Sequence, residues 1–369
     1  TKKGRGYRPA EENAPVFHGL GKFDKVTGVP VKSGSVPSYT EVFGRAMCDL
    51  APMQPRMVGI TAAMSLGTGL HLFGEKYPQR FFDVGIAEGH AVTFAAGMAA
   101  QGARPVVAVY STFLQRAYDH LIHDVALQKL PVVLAIDRAG IVGDDGPTHH
   151  GIFDIAYLRT VPDLVVMAPR DEEELRHMLF TALNYDQGPV AIRYPRGAGE
   201  GVELTSGFDL LPIGRSETLD QGEEIALLAV GHLARKASAA ARFLREQEGI
   251  AVEVVNARFI KPLDAGMLDD LAARFKVIIT LEEGTLAGGF GSAVAEYLAD
   301  HHTGKAALMR CGLPDTFLSQ GTRDFMLHQA GLSTQAILAT IQSVRAGLEN
   351  GRSGRIRNLF RFNRHVKTT

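Results

Sequence analysis

Along most of the chain, short and nearly continuous apolar runs alternate with helical patterns. "RMVGIT" (56–61), "RFFDVGI" (80–86), "RPVVAVYS" (104–111), "LPVVLAIDR" (130–138), "LVVMAPR" (164–170) and "GPVAIRYP" (188–195) lack the in–out alternation of a half-exposed sheet. Such runs suit strands of a parallel sheet covered on both faces. Between them, Ala91, Phe94, Ala95 and Met98 keep i, i+3, i+4, i+7 spacing, and Leu114, Ala117, Tyr118, Leu121 and Val125 predict the next helix. A second set of runs follows: "EEIALLAVG", "IAVEVVNARF", "KVIITLEEG" and "AALMRCGL". Helical stretches are expected there near 233–248, 264–275, 289–300 and 333–346. The pattern predicts two α/β domains.

Glycine, proline and charge set the boundaries. Residues 1–37 read as loop or linker, 38–200 as the first α/β domain, 201–222 as a linker and 223–346 as the second domain. The stretch around the second linker, 198–222, holds five Gly and one Pro. The closing segment 347–369 is basic, with five Arg, one Lys and no acid from Asn350 onward. It is expected to be a solvated tail. The chain opens without Met in a Gly-rich basic stretch, which suggests part of a longer protein or one chain of a nicked one.

Composition narrows the function. The chain has 369 residues, 46% hydrophobic and 21% charged, with 39 basic and 40 acidic side chains and a formal net charge of -1. No global field argues for nucleic acid or a membrane surface. No apolar run reaches the ~20 residues of a membrane helix. Cys48 and Cys311 show no metal spacing and suit a reducing cytoplasm.

In open α/β sheets, ligands bind beyond the carboxyl ends of the strands. The unusual residues follow strands there: Glu88; Tyr110, Phe113 and Arg116; Arg138, Asp144, Asp145, His149 and His150; and Arg196. Glu88 has two readings, a helix-start acid favoured by the dipole or a carboxylate facing a dry cleft. "DRAGIVGDDGPTHHG" (137–151) packs four Gly, one Pro, three Asp, one Arg and two His into a single loop. That mix suits a cleft wall or lid. Arg138 and Arg196 suit a phosphate or carboxylate, and His149 suits proton transfer near neutral pH. His120, His123 and Asp124 have helical spacing for zinc, but a solvated or packed face is the expectation. "GGFGSA" (288–293) reads as a helix start and not a dinucleotide loop.

Longer strings carry a resemblance. "DVGIAEGHAVTFAAGMA", "YSTFLQRAYDHLIHDVALQKLPVVLAIDRAGIVGDDGPTHHG" and "RYPRG", with "TKKGRGY", "FHGLGKFD", "IKPLD" and "GLPDTFLSQGT", resemble the 1-deoxy-D-xylulose 5-phosphate synthases. These are thiamin-diphosphate enzymes of the transketolase superfamily. The resemblance covers nearly the whole chain except the basic tail. It implies a pyrimidine-binding domain followed by a transketolase-type C-terminal domain. The family's G-D-G…N motif, which holds the cofactor diphosphate through Mg²⁺, is missing. That domain is therefore expected elsewhere, with only its end in residues 1 to about 25, and no metal ligands are expected in this chain.

By resemblance, Glu88 would hydrogen-bond the pyrimidine N1′ and Phe113 would stack on the ring. Tyr110, Arg116, Arg138 and Arg196 would line the acceptor site, and Asp145 and His149 would sit near the reacting carbons. Tyr7 would approach the cofactor, His18 would face the substrate, and Lys3 is a further candidate. The implied substrates are pyruvate and D-glyceraldehyde 3-phosphate, and the implied assembly is a cytoplasmic homodimer completed by an N-terminal domain. The alternatives are the β subunit of a 2-oxo acid dehydrogenase, which the N-terminal stretch and the two arginines disfavour, and a non-catalytic module of the same fold.

Overall fold

The computed structural model describes residues 4–19, 21–31, 36–302 and 306–349. Six parallel strands form most of the first sheet: β1 (Met57–Thr61), β2 (Phe81–Asp83), β3 (Arg104–Tyr110), β4 (Val133–Asp137), β5 (Val165–Met167) and β6 (Val190–Arg193). The second sheet takes β7 (Glu217–Asp220), β8 (Ile225–Ala229), β9 (Glu253–Asn256), β11 (Val277–Thr285) and β12 (Ala307–Leu313), whereas β10 (Phe259–Lys261) returns to the first. The orders are β10-β5-β6-β4-β3-β1-β2 and β12-β11-β8-β9-β7. Most strands that read as continuous apolar runs are buried on both faces, but β2 and the first half of β12, at the sheet edges, are half-exposed. Residues of β4, β6 and β8 are all buried.

Two further strands depart from the expectation. β7 lies inside the stretch read as linker. It is a four-residue, half-buried edge strand, antiparallel to β9, and has no apolar run to betray it. The run "IAVEVVNARF" breaks after Asn256. Arg258 adopts φ +55°, and the chain crosses to pair β10 antiparallel with β5 of the other domain. The segment predicted as one helix around Leu114–Val125 is a string of short turns, Ser111–Leu114, Gln115–Ala117, Tyr118–His120 and a π-type stretch Leu121–Ala126. The helix Arg323–Gln329 was not foreseen, and the last helix, Thr334–Glu349, runs past 346. The tail from 350 onward lies outside the described residues.

Helices cover the sheets. Tyr39–Leu50 starts on the Ser38 side chain, which accepts from the Glu41 amide, and Glu172–Asn184 starts on Asp171, which accepts from Glu174. Their apolar faces pack on one side of the first sheet with Phe43, Met47, Leu175 and Leu179 fully buried. On its other side the first sheet shares a core with the second domain, where Ile155 and Leu158 join Ile260, Leu268 and Phe290.

The seam is also polar. Asp171 pairs with Arg235 at 2.6 Å, and Arg258 bridges Glu174 and Glu217, each at 2.7 Å. Arg193, almost fully buried, pairs with buried Asp154 at 2.9 Å and donates to the Glu283 carbonyl. Asp171, Glu174, Asp154 and Arg193, the buried charges of this seam, are thus each ion-paired.

Candidate active site

Because β1 to β6 run parallel, their carboxyl ends share one edge, and the loops leaving β2, β3, β4 and β6 meet there. Glu88 opens the helix Glu88–Ala100 and is 5% exposed. Its ion-pair partner is Arg116, whose Nη1 lies 3.6 Å from Oε1. That separation exceeds a hydrogen bond, so the carboxylate keeps acceptor capacity. Arg116 also lies over the Phe113 ring at 5.3 Å.

Phe113 joins the β2 side of the site to the β4 loop. It stacks on Tyr110 at 5.7 Å and meets His149 edge-on at 5.5 Å. Tyr110 carries the Arg138 guanidinium 4.0 Å above its ring, and burial pushes its hydroxyl up to about 12. A Cβ added at Gly67, in the loop after β1, would sit 1.7 Å from the Tyr110 hydroxyl. A side chain there would displace the tyrosine.

Arg138 adopts φ +57°, which the surrounding contacts must sustain. Its Nη1 donates to Asp145 Oδ2 at 2.6 Å, and Arg196 Nη1 approaches the same oxygen at 3.1 Å. Arg196 also donates to the Val142 carbonyl. Two guanidinium groups therefore converge on one carboxylate oxygen, an arrangement suited to an anion. Burial holds His149 below its ordinary value, Asp145 opposes this, and the two arginines add to it. The neutral imidazole is favoured.

The structure thus joins Glu88, Arg116, Phe113, His149, Tyr110, Arg138, Asp145 and Arg196 through ion pairs and ring contacts. Tyr7 sits in a separate cluster with Phe17 and Phe23, its hydroxyl donating to the Lys25 carbonyl. His18 is exposed after the short helix Ala14–Phe17. Lys3 lies outside the described residues. Among the described residues no group of three or more His, Cys, Asp or Glu is placed to hold a metal. His120 packs its ring against Gly89, and Asp124 bonds Thr93.

Sequence reasoning missed three supports of the site. Asp137, fully buried at the end of β4, accepts from Thr40 at 2.7 Å, and burial pushes it up to about 7. Gly67 gave no signal. A cluster of His232, Glu283 and Arg323 from the second domain reaches the 138–151 loop; the only hint was the pair of acids inside the apolar run "KVIITLEEG".

Two family models match: the transketolase pyrimidine-binding domain over residues 35–200 and the transketolase C-terminal domain over 214–337. A solved structure described as a "Split gene transketolase, inactive beta4 tetramer" superposes with a TM-score of 0.73 at 31% identity, covering 84% of this chain and 98% of that one. The chain belongs to the transketolase family. Within it, the 1-deoxy-D-xylulose-5-phosphate synthase of Pelotomaculum thermopropionicum is 54% identical over 92% of this chain, and that of Carboxydothermus hydrogenoformans is 54% identical over 93%. This transketolase-family chain spans about half the length of the curated relatives it matches, 53% and 54% of these two. No helix among the described residues is long and apolar enough to cross a membrane.

Proposed function

We propose that this chain supplies the pyrimidine-binding and acceptor-binding half of a 1-deoxy-D-xylulose 5-phosphate synthase. The reaction joins pyruvate, with loss of CO₂, to D-glyceraldehyde 3-phosphate. The observation that carries the reading is the convergence of Arg138 and Arg196 on Asp145, linked through Tyr110 and Phe113 to the buried Glu88. The relatives' shared name supports the same choice of substrates.

Thiamin diphosphate fits these residues. Glu88 is a buried carboxylate with an unfilled acceptor site, suited to a ring nitrogen, and Phe113 offers an aromatic face beside it. Once bound, the cofactor would supply the carbanion-stabilising chemistry. Glu88 would raise the basicity of the ring, more strongly for being removed from water. Arg138 and Arg196 would hold the acceptor phosphate in the place where Asp145 now meets them. Neutral His149 would hold or pass a proton at the acceptor carbonyl. The diphosphate and its Mg²⁺ would sit on another domain. The reading carries with it a cytoplasmic homodimer.

The test combines calorimetry with product analysis. Thiamin diphosphate should bind this chain weakly or not at all on its own. Binding and formation of 1-deoxy-D-xylulose 5-phosphate should appear when a diphosphate-binding domain is supplied. Tight binding by the lone chain, or binding without product in the complete system, would overturn the proposal.

A further inference from the structure

The 138–151 loop belongs to the pyrimidine-binding domain, yet much of what holds it comes from the C-terminal domain. Ile141 is the clearest case. Its amide donates to Glu283 Oε1 at 2.7 Å, and its carbonyl accepts from Arg323 Nε at 3.0 Å. Both hydrogen-bonding groups of one peptide-linked residue are thus taken by a single ion pair, since Arg323 Nη2 also donates to Glu283 Oε2 at 2.6 Å. His232 gives its Nε2 proton to the same Glu283 oxygen. The 3.0 Å approach of Arg323 to that nitrogen is then a contact and not a second hydrogen bond.

Apolar packing agrees with the polar contacts. The Ile141 and Ile152 side chains lie in the C-terminal domain's own core, with Leu227, Leu281 and Leu327. Gly140, at φ +85°, lets the backbone pass close to the carboxylate; a Cβ there would lie 2.5 Å from Glu283 Cδ. A second fastening follows. Val142 donates to His150 Nδ1 at 3.2 Å, so the proton is on Nε2, which donates to the Ser319 carbonyl at 2.8 Å. Between these fastenings lie Asp145 and His149, and Arg138 stands three residues before Ile141.

We propose that Glu283 and Arg323 are positioning residues for the acceptor-anion site: they fix the loop that aims Arg138, Asp145 and His149, and so set affinity for the phosphorylated substrate from a domain that holds none of the site's own side chains. This rests on the acceptor-phosphate reading above. The physical basis is that an anion site of two arginines is effective only when both guanidinium groups are held in place beforehand. Arg323 can serve both Glu283 and the Ile141 carbonyl because its fork presents several donors in a plane. Lysine keeps the charge but not the fork.

The test uses Arg323→Lys and Arg323→Ala in the full chain. Hydrogen exchange at 141–151 should quicken in both, while β11 amides stay protected as a check on folding. Inorganic phosphate titrated into the chain should bind about tenfold more weakly in Arg323→Lys, the expected cost of losing a charged hydrogen bond. In the complete enzyme, the KM for the phosphorylated aldehyde should rise by a similar factor while the KM for pyruvate holds. Unchanged loop exchange, unchanged phosphate affinity, or equal shifts in both KM values would each overturn the inference. The exchange and phosphate measurements need no turnover. If the complete wild-type enzyme, with its diphosphate-binding domain and cofactor, makes no 1-deoxy-D-xylulose 5-phosphate, the functional reading fails, while the clamp is still decided by its own two readouts.

Discussion

Replacing Arg138 by glycine separates the arginine's chemistry from its backbone. At φ +57° an L-residue carries a penalty of roughly 1 kcal/mol that glycine escapes. The side chain contributes the 2.6 Å bond to Asp145, with the two groups 21% and 29% exposed, and the contact 4.0 Å from the Tyr110 ring centroid. A partly exposed pair and a cation–π contact together stabilise by about 1 to 2 kcal/mol. The relieved strain offsets much of that, so the melting temperature of Arg138→Gly should stay within about 3 °C of wild type. Arg138→Ala keeps the strain and should be less stable than the glycine variant by about 1 kcal/mol. Function should respond differently. Loss of a charge-assisted hydrogen bond to phosphate costs about 1.5 to 3 kcal/mol, a fall of roughly 10- to 150-fold in kcat/KM for the phosphorylated aldehyde. Both variants should show that fall alike. The assay is steady-state kinetics of the complete enzyme with each substrate varied in turn, alongside thermal unfolding. Equal losses for aldehyde and pyruvate, or a glycine variant clearly less stable than the alanine one, would refute the reasoning.

Three other outcomes are expected. Burial lowers His232 from 6.5 to about 4, so its folded form is neutral; the stability it contributes is complete above about pH 6.5 and lost as pH falls through about 4. Thermal midpoints of His232→Gln should therefore decline less over that window than those of wild type, and an equally steep decline counts against the assignment. In Gly67→Ala the new Cβ, 1.7 Å from the Tyr110 hydroxyl, must push the ring away from Arg138. The kcat/KM for the aldehyde should fall by about tenfold or more, and an unchanged value would show that the loop yields instead. Arg193→Leu leaves the buried Asp154 carboxylate without its cation. Urea unfolding should report a loss of about 3 to 5 kcal/mol, and a loss under about 1 would contradict the role of the pair.

Most of the fold is written in local periodicity. β1, β3, β4, β6 and β8 are buried on both faces, so their apolar runs stand out, and the helices Leu233–Glu248 and Ala265–Arg274 fall where their spacing put them. β7 and β10 escaped because each is a short edge strand whose pairing is decided by distant residues, not by its own pattern. The site was legible to the extent that it hangs on loops after strands. Arg138, Asp145 and Arg196 needed only the rule that parallel strands deliver their carboxyl ends to one edge. Glu283 and Arg323 were not legible. They meet Ile141 across a separation of 142 and 182 residues, and an acid inside a strand gives no sign of what it faces.

The central claim is that Glu88 activates a bound ring, and the kcat of Glu88→Ala in the complete enzyme tests it most directly. The carboxylate is 5% exposed and opens its helix with no side-chain cap bond, so the fold should survive its removal. The account predicts a loss of kcat of about 100-fold or more, with secondary structure unchanged. A kcat within a few-fold of wild type would contradict it.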